Sequence, residues 1–133
     1  MYVQSIYILH TKGYRDLPDK NGWRQVMSIL SALNANGILL ANASSNIANL
    51  NTRDYKSLRT TLVEDEGGEV TAVTQRNNTP GVPTDDGHEE SNVDIPKEFC
   101  DMIRARQGYD SALKAISARE DMLFSLMEML KSR

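Results

Sequence analysis

The sequence predicts a mainly α-helical protein. Two long terminal helices should form an antiparallel, coiled-coil-like pair, with a short β-hairpin and loop inserted between them. Three observations predict this. Val26, Leu33, Leu40 and Ile47 recur every seven residues towards one end. Met102, Tyr109, Ile116, Leu123 and Leu130 do the same at the other. The stretch between is short and acidic, with alternating apolar residues around Gly67-Gly68. A seven-residue apolar repeat draws one stripe along a helix, and such a stripe has to bury against another.

In chain order, residues 1–22 form an N-terminal extension of unclear role. Tyr2, Val3, Ile6, Tyr7, Ile8 and Leu9 would suit a short strand, and Gly13, Pro18 and Gly22 interrupt it. The first helix is expected over 23–48. Ile29, Leu30 and Ala43 fill in its seam, and Asn36 falls at a seam position beside Gly37. Asn49, Asn51 and Thr52 close the helix, because Asn tolerates the left-handed cap, so residues 23–54 make one unit. Ile38-Leu39-Leu40-Ala41 places apolar groups on several faces, which implies more than one packing partner.

Residues 55–91 should hold the hairpin and an acidic loop. Leu58, Thr60 and Leu62 alternate, as do Val70, Ala72 and Thr74. An isolated hairpin is marginal, so it must pack on something. Residues 77–91 read as a polar loop. Residues 92–133 carry the second helix, with Asp94 as its cap and Pro96 tolerated in the first turn. Phe99, Leu113 and Met127 are expected to supply its alternate seam, interrupted by Arg106 and Glu120. At about 1.5 Å per residue this helix runs roughly 57 Å, against roughly 38 Å for the first. Its last turns, with Leu123, Phe124, Leu126, Met127 and Leu130, are apolar nearly all round.

Composition narrows the function. At 133 residues the chain is one small domain's worth. Its net charge of −3 divides into +3 over 1–56, −7 over 57–94 and +1 over 95–133. The strongly charged segment is acidic, which argues against a nucleic-acid partner. One cysteine, Cys100, excludes an internal disulfide and reads as a semi-buried small hydrophobe. No stretch reads as a transmembrane span or a cleaved signal peptide. Asp85-Asp86-Gly87-His88-Glu89-Glu90 is the one cluster resembling a metal site, but its spacing matches no calcium loop. No catalytic residue, cofactor or metal is assigned, and the chain is not expected to be an enzyme.

Two motifs carry a resemblance. Asn46-Ile47-Ala48-Asn49, Asn51-Thr52 and Tyr55-Lys56 are similar to the N-terminal signature of the bacterial flagellar axial proteins of rod and hook. Asn92-Val93-Asp94, Met102-Ile103-Arg104-Ala105, Gly108-Tyr109 and the run to Leu130 resemble their C-terminal signature. Together they cover about 27–56 and 91–131. The short middle, with Pro83 and Asp85-Asp86-Gly87, looks most like the small proximal-rod type. Thr52-Arg53-Asp54-Tyr55 departs from the family's usual Thr-Pro-Gly turn. Residues 1–26 have no family counterpart, and residues 1–22 are expected to be dispensable.

The resemblance implies a rod subunit at the flagellar basal body. Such a chain is exported through the flagellar apparatus without a cleaved signal and is not inserted in a membrane. It would polymerise with copies of itself and with other rod and hook axial proteins. The assembly surface would comprise Leu33, Leu40, Ile47, Asn46 and Asn49 of the first helix. Tyr109, Ile116, Leu123, Phe124, Leu126, Met127 and Leu130 would supply the second. The alternative is a soluble helical adaptor or regulator that oligomerises through the same seams.

Overall fold

The structure is a computed structural model that describes residues 20–132. It contains helix α1 (Lys20–Ala48), strands β1 (Leu58–Glu64) and β2 (Val70–Arg76), and helix α2 (Ile95–Lys131). The chain is therefore mainly α, with two long helices flanking a short antiparallel hairpin, as expected. The short strand expected near Tyr2–Leu9 lies outside the described residues.

Helix α1 begins at Lys20, so Gly22 sits inside its first turns instead of breaking the pattern. This stretch touches α2: the Arg119 guanidinium donates to the Gly22 carbonyl at 3.1 Å and to Gln25 at 3.5 Å. The stretch expected to be dispensable thus includes part of the helix pair. At the other end the Asn49 amide donates to the carbonyls of Ser45 and Asn46, both at 3.1 Å. The Asn49 side chain also donates to Ser45 O and accepts from the Thr52 hydroxyl, which closes the helix.

β1 and β2 pair antiparallel, with Leu58 opposite Arg76, Thr60 opposite Thr74 and Leu62 opposite Ala72. Asp65 builds the turn: its Oδ1 accepts from the amides of Gly67 and Glu69, both at 2.8 Å. The inner face carries Leu58, Thr60, Leu62 and Ala72 against α1. Polar anchors fix its position. Ser28 donates to Gly68 O at 2.7 Å, Val70 N donates to Ser31 Oγ at 2.9 Å, and Asn42 Nδ2 donates to both Thr60 and Thr74.

The segment after β2 is more ordered than the polar loop expected there. Pro83 bridges to Glu89 around a tight turn, where Thr84 N donates to His88 O and Gly87 N to Thr84 O. Gly81 passes so close to Glu90 that any Cβ would stand 1.9 Å from its carbonyl oxygen.

Helix α2 opens as the sequence predicts. Asp94 accepts from Lys97 N and Pro96 lies in the first turn. The helices run antiparallel. Asn36 meets Gly108 and Gln25 meets Arg119, eleven residues back on α1 and eleven on along α2.

The second seam of α2 differs from the expected one. Phe99, Leu113 and Met127 are 53%, 46% and 65% exposed. The buried row lies one residue earlier, at Glu98, Ala105 and Ala112, continuing to Arg119. Ala105 is 0% exposed and Ala112 7%. Small side chains win here because they let the backbones approach, and a large side chain in that row would hold the helices apart. Arg106 and Glu120 therefore interrupt nothing; both lie on an exposed flank. Glu98 sits in the first turn of α2, where the free helix amides favour a negative charge.

Candidate assembly site

Two features stand out: a polar lock joining the chain's two ends, and helix surfaces left uncovered.

The lock starts at Asn46, the largest fully buried side chain among the described residues. Its Oδ1 accepts from Leu58 N at 2.8 Å and from the Tyr55 hydroxyl at 3.1 Å. Its Nδ2 donates to Leu58 O at 2.8 Å. One amide thus satisfies both backbone groups at the start of β1 and pins the return of the chain after α1. Asn92 does the same on the other side. Its Oδ1 accepts from Ser57 N at 2.7 Å, and its Nδ2 donates to the carbonyls of Asn77 and Thr79 at 2.8 Å. The residues that stand out in the two sequence motifs are thus joints within the chain. A buried amide such as that of Asn46 is costly to strand, so it specifies one arrangement.

Beside the lock is a clasp of charged and polar side chains. Arg53 pairs with Asp86 at 2.5 Å, His88 Nδ1 with Asp54 at 2.7 Å, and Lys56 with Glu89. Asp54 holds a positive φ of 57°, which Asp tolerates better than most residues. Its amide donates to Glu89 O at 2.8 Å and its Oδ1 accepts from Glu89 N at 2.9 Å. The Glu89 amide, then His88, holds the Asp54 carboxyl below the usual carboxylate range. The Thr84 hydroxyl does this chiefly for Asp86. Lys56, with the Gly81 amide, does it for Glu89. The acidic run is thus spent on fastening the loop. Among the described residues no group of three His, Cys, Asp or Glu side chains is placed to hold a metal. A shallow groove of about 520 Å³ beside the clasp is lined by Asn51, Thr52, Arg53, Thr84, Glu90 and Ser91.

The uncovered surfaces lie on both helices. Trp23, Met27, Leu30 and Ile38 of α1 are exposed, as are Leu123, Phe124, Leu126, Met127 and Leu130 of α2. Leu33, Leu40, Ile47, Asn49 and Ile116 are partly covered, and Tyr109 is 36% exposed. Asn46 is engaged wholly inside the chain. Cys100 is exposed instead of semi-buried. α1 also has the length and composition of a membrane span, which corrects the expectation that no stretch would. No charged residue occurs between Arg24 and Arg53. Its Ser28, Ser31, Asn42 and Asn46 nevertheless bond the hairpin. The sequence marks Ala105 and Gly108 as motif residues without revealing that they pack against α1, and it gives no mark to Ala112. Their small size at helical spacing was the available signal.

Residues 88–129 match the family model described as Flagellar basal body rod FlgEFG protein C-terminal. These residues resemble the C-terminal region of flagellar basal-body rod proteins. The match runs from His88 in the clasp, through the Asn92 joint and the Asp94 cap, into the exposed end of α2. The likeness is to a structural component of the flagellar basal body and covers less than half of the chain. Among curated proteins none matches the chain.

Proposed function

We propose that this chain is a subunit of the flagellar basal-body rod, most like the short proximal-rod type, and that it polymerises through its terminal helices. The observation that carries this reading is the exposed apolar end of α2, which up to Met129 lies within the stretch matching the rod family. Heterologous contacts between such surfaces generate open helical assemblies. The lock and clasp fasten the insertion at one end of the helix pair, away from the exposed end of α2. Leu33, Leu40, Ile47, Asn49, Tyr109 and Ile116 would contribute at the margins of the contact, and Leu123, Phe124, Leu126, Met127 and Leu130 at its centre. Asn46 would act indirectly, by holding the chain in its assembling shape. Copies of the chain and other axial proteins are its partners, and the flagellar export apparatus delivers it.

Basal bodies purified from the bacterium that makes the chain are expected to contain it, and deleting its gene is expected to abolish swimming. Complete rods in the deletion strain would overturn the proposal. A discrete soluble oligomer that stays out of basal bodies would support the adaptor alternative.

A further inference from the structure

Arg119 stands beside Gly22, so α2 continues past the level of Lys20 as an apolar overhang. At the root of that overhang an apolar cleft of about 210 Å³ opens between the helices. Val26, Ile29 and Leu30 of α1 line one side, and Ile116 and Leu123 of α2 the other. Leu30 and Leu123 are exposed. The cleft has room for an aromatic ring, since a cavity of about 150 Å³ already holds benzene. Glu120 stands at its rim. The carboxylates of Glu120 and Asp121 form no ion pair with any of the described residues.

The occupant nearest to hand is the chain itself. Residues 1–19 join α1 at this end of the helix pair. Tyr2, Val3, Ile6, Tyr7, Ile8 and Leu9 crowd large apolar side chains into its first stretch. Residues 10–19 link that run to Lys20, with Gly13 and Pro18 to turn the chain. Such a link spans at most about 33–36 Å. The cleft is closer: Val26 and Leu30 lie roughly 9 and 15 Å along α1 from Lys20, and Leu123 roughly 6 Å along α2 from Arg119. Lys12 and Arg15 precede Asp16 and Asp19, on the side of the link next to the apolar run. They complement Glu120 and Asp121 at the rim. We infer that residues 2–9 fold back on their own chain and dock in this cleft, with the Tyr7 ring against Ile116 and Leu123 and its hydroxyl at the open rim. A second copy is the weaker competitor, because so short a tether holds the segment at an effective concentration on the order of millimolar. The extension that sequence marks as dispensable thereby shields apolar surface in the single chain.

Cross-linking within one chain tests this. In a Cys100→Ser background, Ile8→Cys is combined with Leu123→Cys. The control combines Ile8→Cys with Arg24→Cys. Arg24 also lies close to Lys20, but it faces the hairpin turn, where a Cβ on Gly67 would stand 3.7 Å from its guanidinium. Under mild oxidant in dilute solution, the first pair is expected to give about ten-fold more linked monomer than the control. Equal yields overturn the docking. Linked dimers in place of linked monomers assign the cleft to a second copy and overturn it too. Trp23, the sole tryptophan, lies on the same side of α1 as Val26 and Leu30. Its quenching by acrylamide is expected to roughly double when Ile6→Ser and Tyr7→Ser are combined, a change that leaves the helix pair untouched. Unchanged quenching overturns the docking. None of these outcomes bears on the rod-subunit reading, which presence in basal bodies decides separately.

Discussion

Asn36 and Gly108 are fitted to each other across the helix pair: a Cβ on residue 108 would stand 2.3 Å from the Asn36 Oδ1. Asn36 is buried and its Nδ2 donates to Ala32 O at 2.8 Å, so it is not free to swing aside. Gly108→Ala would gain about 1 kcal/mol of helix propensity. The forced shift of the pair costs about 1–3 kcal/mol. The variant is expected to lose about 1 kcal/mol net, and Asn36→Ala in the same chain should reverse the loss. Urea unfolding of both single variants and the double variant measures the coupling; additive effects would refute it.

Asn46→Ala strands the Leu58 amide and carbonyl and the Tyr55 hydroxyl. At about 1–3 kcal/mol for each buried group left unmade, the expected loss is about 3 kcal/mol or more. Asn49→Ala, by contrast, removes bonds near the surface and should cost about 1 kcal/mol. Thermal unfolding of the two variants side by side checks the ranking.

The position of the true seam is testable by size. Leu113→Ser acts on an exposed flank and should change monomer stability by about 0.5 kcal/mol or less. Ala112→Leu places a large side chain between the helices and should cost about 1–3 kcal/mol. The opposite order in chemical unfolding would return the seam to the Phe99–Leu113–Met127 row.

The clasp makes stability depend on pH. Asp54, Asp86 and Glu89 are all held below their ordinary values of 3.8, 3.8 and 4.5. The folded chain therefore binds fewer protons than the unfolded one in the window just below those values. The clasp's contribution is complete above the ordinary carboxylate range and is lost as the pH falls through the folded values. Melting temperatures of wild type and Asp54→Asn should differ at neutral pH and converge on acidification. A gap that stays constant down to about pH 2–3 would show that these carboxylates are not linked to folding.

Replacing both Phe124 and Leu126 with Ser should stop incorporation into basal bodies while leaving the chain folded. Burial of each large side chain is worth about 1.5–3 kcal/mol, and both are exposed in the monomer. Swimming assays with far-UV circular dichroism separate lost assembly from lost fold. A motile double variant would mean that assembly uses another surface.

The sequence by itself determined the element order, both helix identities, the hairpin with its turn, the Asp94 cap and the apolar overhang. All of these follow from local periodicity, capping chemistry and turn residues. The tertiary structure decided what faces what. Heptad spacing marked Phe99, Leu113 and Met127 as a seam because they are large and apolar. Packing chose Ala105 and Ala112, because close approach of two backbones rewards small volume, which a hydrophobic pattern does not register. Asn46 and Asn92 were legible as parts of motifs. Their work as joints was not, since it depends on Leu58, Ser57 and Asn77 arriving from other parts of the chain. The acidic run likewise gives only charge until Arg53, Asp54 and Lys56 come opposite Asp86, His88 and Glu89. Partners distant in sequence are brought together only by the fold.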